Sequence, residues 1–155
     1  MTARRPPSVT RARVYKEIYD EIPAIPACTG WCSRSCGPIA CFRGEWERMT
    51  AAAGGPIGPL RGLTCPLLSA NGRCTVYQVR PLICRLWGTT RALACPQGCQ
   101  PERWVTDDEA VELLKRLFAV AGPELVGPRG ATEHVAGLIK TIQRAAEHHR
   151  DEGLL

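Results

Sequence analysis

Cysteine is the residue type whose number and spacing point to chemistry in this chain: nine lie between Cys28 and Cys99, and none lies outside that segment. They run Cys28-x3-Cys32-x3-Cys36-x4-Cys41 and then Cys65-x8-Cys74-x9-Cys84-x10-Cys95-x3-Cys99. Residues three or four apart share a helix face or a first turn, so each short interval can aim two sulfurs at one ion. Ligands clustered locally and repeated at a distance suit a fold wrapped around a thiolate-held metal or iron–sulfur centre. A disulfide framework fits less well, because the odd count leaves a thiol over in a monomer and a reducing compartment disfavours structural disulfides. The expected ligands are Cys28, Cys32, Cys36, Cys65, Cys74, Cys84, Cys95 and Cys99. Eight sulfurs can fill two tetrathiolate sites, and Cys41 is the cysteine expected to serve as a small core residue instead.

Four thiolates around zinc, or around an oxidised four-iron cluster, carry about two net negative charges. Six arginines lie beside the cysteines in sequence: Arg34, Arg43, Arg73, Arg80, Arg85 and Arg91. At an effective dielectric of 20, one opposite pair at about 5 Å interacts by roughly 3 kcal/mol, enough to shift ligand basicity. Arg80 and Arg85, inside a mostly apolar stretch, are expected to stand behind the ligands and offset their charge. The other four read as solvated side chains.

These residues need elements to position them, and the chain divides by composition into three regions. Residues 1–22 form a tail, opening Arg4-Arg5-Pro6-Pro7, and a short helix with Val14, Tyr15, Ile18, Tyr19 and Ile22 at helical spacing behind Thr10. Residues 23–105 hold every cysteine together with nineteen glycines and prolines in eighty-three positions. That segment predicts loops and short helices, with a flexible linker over Ala51–Gly58. Its large apolar residues are too sparse to offset roughly 1–2 kcal/mol of backbone entropy per ordered residue, so metal–thiolate bonds are the expected supplement. Residues 106–155 predict two helices. Thr106 and Glu109 form a capping box, and Val111, Leu114, Leu117, Phe118 and Ala121 make one apolar stripe that Gly122-Pro123 stops. The second helix, Thr132 to His149, presents Val135, Leu138, Ile139, Ile142 and Ala145. The fold class predicted is mainly α with irregular loops and little or no sheet: a small cysteine-rich, metal-stapled domain with two C-terminal helices packed on the rest.

The string Cys74-Thr75-Val76-Tyr77-Gln78-Val79-Arg80-Pro81-Leu82-Ile83-Cys84-Arg85, preceded by Cys65-Pro66-Leu67-Leu68, resembles the YkgJ-like family of zinc- or iron-chelating cysteine-cluster domains. Cys36-Gly37-Pro38-Ile39 is similar to that family's opening segment, and Cys95-Pro96-Gln97-Gly98-Cys99 to its closing one. The resemblance covers about Cys28 to Pro101 and implies metal chelation by the cysteines. It breaks at the opening, where the family carries a tandem cysteine pair and this chain has Ser35-Cys36. Either Cys41 substitutes for the missing thiolate or one ligand is lost. Within the string, Pro81 suits the first turn of a short helix, Cys84 points back toward that turn, Arg85 can supply countercharge, and Tyr77 packs or hydrogen-bonds nearby.

Sulfur-only ligation suits zinc and iron–sulfur clusters alike. Zinc knuckles commonly place two residues between paired cysteines, and every short interval here has three or more, which favours an iron–sulfur cluster of the 4Fe–4S kind over zinc. No phosphate loop, His-Glu-x2-His or serine elbow occurs, so no catalytic residue is assigned. His134, His148 and His149 read as a solvated helix end. Basic residues exceed acidic ones by five, and seventeen of the twenty are arginine, a weak argument for nucleic acid. Without a long apolar run or a secretion signal, the setting expected is cytoplasmic, bacterial or viral, with no membrane span. Two roles follow: a module docking to a protein partner or larger assembly through a surface its metal centre fixes, or a redox or group-transfer component.

Overall fold

A computed structural model describes residues 8–30, 36, 37, 39–59, 62–128 and 130–152. The chain folds mainly as α-helix: α1 (Ser8–Asp20), α2 (Arg43–Ala52), α3 (Leu82–Leu86), α4 (Asp107–Ala121) and α5 (Ala131–Glu152). The sheet is small. Strand β1 (Cys41–Phe42) pairs antiparallel with β2 (Leu125–Val126), Cys41 opposite Val126 and Phe42 opposite Leu125.

The C-terminal helices form for the reasons their sequence gives. The Thr106 side chain accepts from the Glu109 N–H while the Glu109 carboxylate accepts from the Thr106 N–H at 2.7 Å, closing the capping box before Asp107. Helix α4 buries Ala110, Leu113, Leu114, Leu117 and Ala121. The predicted stripe is therefore rotated: Val111 is half-buried, and Phe118 stays 44% exposed, set edge-on against Phe42 at 4.8 Å between ring centres. Gly122 stops the helix with φ 83° and ψ 157°, an extended mirror conformation that glycine adopts without steric cost. Helix α5 runs a few residues beyond its predicted bounds and buries Ala131, Val135, Ile142 and Ala146.

Helix α1 begins ahead of Thr10, so that threonine lies inside the helix rather than capping it. Ile18 is fully buried with Tyr15 beside it. One apolar core joins α1, α3, α4 and α5 through Ile18, Leu82, Leu86, Leu117, Val135 and Ile142. A second, smaller core under the cysteine region gathers Ile39, Cys41, Met49, Cys65, Leu67 and Val76.

The linker between the cysteine segments starts later than its composition suggests, because α2 extends to Ala52. Helix α2 buries Met49 and, unusually, Glu45 at 2% exposure. The Tyr19 hydroxyl and the Leu82 N–H each donate to Glu45 Oε1 at 2.7 Å. A buried carboxylate on α2 thus ties α1 to the first turn of α3, the short helix that carries Cys84. Burial raises the Glu45 carboxyl above its ordinary value, and those donors partly oppose the shift.

Candidate metal centre

Each cysteine is placed by a short local device. Cys28 closes a turn, its N–H donating to the Ile25 carbonyl at 3.0 Å. Cys95 and Cys99 bracket another turn, in which the Gly98 N–H donates to the Cys95 carbonyl at 3.0 Å and Gly98 takes φ 79°, a conformation that favours glycine. Cys74 follows a hairpin: the Ser69 N–H donates to the Arg73 carbonyl, the Thr75 N–H to the Leu67 carbonyl, and Leu68 bridges Cys74. That hairpin carries Cys74 back toward Cys65. Pro81 caps α3, one residue ahead of its first turn, and Cys84 sits at the third position of that helix.

These devices bring together Cys28, Cys36, Cys65, Cys74, Cys84, Cys95 and Cys99 as the lining of one cavity of about 120 Å³. None of the eight described cysteines is in a disulfide. Cys32 lies outside the described residues. Cys41 is 2% exposed in β1 and does not line the cavity; burial pushes its thiol well above the usual range.

Two environments divide the lining. Cys36, Cys65, Cys74 and Cys84 pack against the small apolar core of Leu67 and Val76. The Cys65 N–H donates to the Cys36 carbonyl at 3.4 Å, and the Cys36 and Cys65 side chains hydrogen-bond. The Cys36 side chain, with the Leu67 and Leu68 N–H groups, lowers the Cys65 thiol to about 7. Cys84 moves the opposite way, raised by burial although Arg80 opposes the shift. At the other end the Cys99 thiol donates to the Ala27 carbonyl at 3.5 Å, the Cys95 and Cys99 side chains hydrogen-bond, and the Thr29 N–H donates to Cys99. The Tyr77 hydroxyl donates to Cys28 Sγ at 3.9 Å.

The two arginines assigned from sequence part company. Arg80 lines the cavity with its guanidinium 3.6 Å over the Tyr77 ring. Arg85 donates instead to the Arg80 and Gln78 carbonyls, each at 2.9 Å, and lies over the Tyr19 ring. It braces the backbone just ahead of the Cys84 helix, outside the lining of the cavity. Among the further lining residues are His134 and Trp87, to which sequence reasoning gave no role at the site. His134, read as part of a solvated helix end, reaches the cavity from the first turns of α5, close enough that a Cβ on Gly37 would stand 3.2 Å from its Nε2. Trp87 lines the cavity with its indole N–H buried and without a hydrogen-bond partner among the described residues.

Among the described residues, no three cysteine, histidine, aspartate or glutamate side chains stand grouped so as to hold a metal ion. Ligation by four sulfurs therefore requires thiol side chains to turn inward from their present hydrogen bonds. The chemistry of the wall suits that step: the donors are sulfur, backbone N–H groups are aimed at Cys65 and Cys99, a cation stands at Arg80, and the Trp87 N–H lacks an acceptor. Amide and indole N–H groups stabilise negative sulfur, so the cavity can carry thiolates, and any sulfides between them, away from bulk water. The Cys65 thiol is thus lowered toward neutral pH, whereas burial makes the Cys84 thiol hold its proton more tightly.

Compared with family models, with curated proteins and with solved structures, the chain matches none.

Proposed function

We propose that this chain is a metal-binding protein of the YkgJ-like kind, whose cysteine cavity holds a thiolate-ligated centre, an iron–sulfur cluster of the 4Fe–4S kind in preference to zinc. The observation that carries the reading is that seven cysteines drawn from distant segments line one cavity, while Cys41 lies outside that lining, in the small apolar core beneath it. A chance scatter of core cysteines would not leave seven facing one space. A single water needs roughly 10–15 Å³ of such space, so about 120 Å³ leaves room for inorganic atoms beyond one ion, which favours a cluster.

The role proposed is structural. The centre orders the loops between Cys28 and Cys99 and fixes the surface they present to a protein partner or larger assembly. Leu63, 81% exposed in that region, is the apolar side chain offered there. No described helix is long and apolar enough to cross a membrane. The resident group would be held by cysteines, with Arg80 and Trp87 supplying charge and a hydrogen bond behind them; when bound, a cluster would also supply electron transfer.

Anaerobic purification followed by elemental analysis tests the reading. Cys74→Ser and Cys84→Ser are each expected to lower the metal content well below that of the parent chain, and Cys41→Ser to leave it unchanged. A brown preparation bleached by dithionite identifies a cluster, and a colourless zinc protein the alternative ion. Unchanged metal content in the Cys74 and Cys84 variants would overturn the ligand assignment.

A further inference from the structure

We infer that Arg11, Arg48 and Arg85 form a docking site for an extended acidic segment of a protein partner. The inference rests on the docking role proposed above and is independent of any metal in the cavity, since none of the three lines it. Arg11, Tyr15 and Tyr19 follow one another at four-residue spacing along α1, so they share a face of that helix. The Arg48 guanidinium, from α2, stands over both rings, 4.7 Å from the centre of Tyr15 and 5.4 Å from that of Tyr19. Arg85, from α3, stands over Tyr19 at 4.3 Å. Three helices thus bring arginines to one pair of tyrosines, whose ring centres are 6.2 Å apart.

Other basic side chains of α1 and α2 are paired, Arg13 with Glu17, Lys16 with Asp20 and Arg43 with Glu124. Among the described residues, Arg11, Arg48 and Arg85 are in no salt bridge, and Arg11 Nε is buried without a hydrogen-bond partner. The carboxylate nearby, Glu45, is itself buried and accepts from the Tyr19 hydroxyl and the Leu82 N–H. Burial first, then the like charges of Arg80 and Arg48, hold the Arg85 guanidinium below its ordinary value, although Tyr19 and Glu45 oppose them. The half-buried group is therefore short of negative charge, and carboxylates on a partner supply it. An extended chain places alternate side chains about 7 Å apart, close to the spacing of the two rings, so successive acidic residues can meet successive guanidinium groups. Nucleic acid fits less well: bases need open aromatic faces, whereas Tyr15 is buried and the Tyr19 ring already carries two arginines.

Fluorescence anisotropy of a labelled peptide of alternating glutamate and serine, titrated with the purified chain at low ionic strength, tests the site. The parent chain is expected to bind it. Arg48→Ala and Arg11→Ala are each expected to weaken binding about fivefold, the upper end of what one ion pair at a surface contributes. Arg13→Ala removes the same charge from an arginine already paired with Glu17 and should leave binding at the parent level. Thermal melts check that each variant is folded, and Arg11→Ala decides the matter if Arg48→Ala is not. No binding by the parent chain, or equal losses in all three variants, would overturn the inference. Tighter binding of an oligodeoxythymidylate of matched net charge, lost in the same variants, would assign the site to nucleic acid and overturn it as well. Metal content of the same preparations keeps the readings apart: parental metal without peptide binding sinks the docking site alone.

Discussion

The helical half and the cysteine half of this molecule solve the same problem with different means. Helices α1, α4 and α5 bury Ile18, Leu117 and Ile142 completely, and a capping box closes α4, so apolar burial organises that half. The cysteine half has six buried residues in its own core, two of them cysteines, under loops that turn at glycines and prolines. Its local hydrogen bonds aim sulfur atoms at one cavity. The contrast teaches that the chain's thiols are placed where its hydrocarbon is scarce, with α3 and Glu45 as the joint between the two regimes.

Withdrawing the metal of the proposed centre should separate the halves most. Thiolate–metal binding in small folds is worth about 10–16 kcal/mol, so a chelated, reduced chain is expected to lose amide protection across residues 62–105 while α4 and α5 keep theirs. Hydrogen exchange read by mass spectrometry checks this. Equal loss in both halves would dissolve the comparison.

Leu117→Ala attacks the other side. Removing a fully buried leucine side chain is expected to cost about 3 kcal/mol in denaturant unfolding, with metal content per folded molecule unchanged. A parallel loss of metal would mean that the helical core sets the cavity directly.

Glu45 tests the joint. Glu45→Ala leaves the Leu82 N–H and Tyr19 hydroxyl without their acceptor and should cost about 2 kcal/mol, whereas Glu45→Gln, which keeps an acceptor oxygen, should cost less. The carboxyl is raised in the folded state above its ordinary 4.5, so its contribution is fully present below that pH and is lost as pH rises through the folded value. Glu45→Gln is expected to flatten that decline in a series of melts across pH.

The smallest effect expected is at Trp87, and its sign is the informative part. Trp87→Phe removes an indole N–H that lacks a partner, so the metal-free chain should lose little, while the loaded chain should release its metal faster to a chelator. Equal release rates would show that the indole does not serve the centre.

The helical half was legible in the sequence because its signals are local: Thr106 and Glu109 are three residues apart, and the α5 stripe repeats at helical spacing. The rotation of the α4 stripe was not, since the burial of Ala110 and Leu113 depends on tertiary packing, where α4 meets α1, α2 and α5. Helix α2 was missed for a chemical reason. Its buried face presents Glu45 beside Met49, and a search for apolar periodicity passes over a carboxylate that tertiary donors satisfy. In the candidate site, the cysteine spacing named the lining thiols and the local sequence placed Tyr77 beside them. The meeting of distant segments was hidden, because it depends on a hairpin returning Cys74 to Cys65 and on a turn at Cys95 meeting the turn at Cys28. His134 was hidden for the same reason, being far in sequence from the Gly37 it approaches.

X-ray absorption at the metal edge of the anaerobically purified chain tests the central claim most directly. The account predicts a first shell of sulfur alone, at about 2.3 Å if the metal is zinc, with iron neighbours beyond the sulfur if it is a cluster. A shell dominated by nitrogen or oxygen, or a metal-free protein whose cysteines are paired as disulfides, would contradict it.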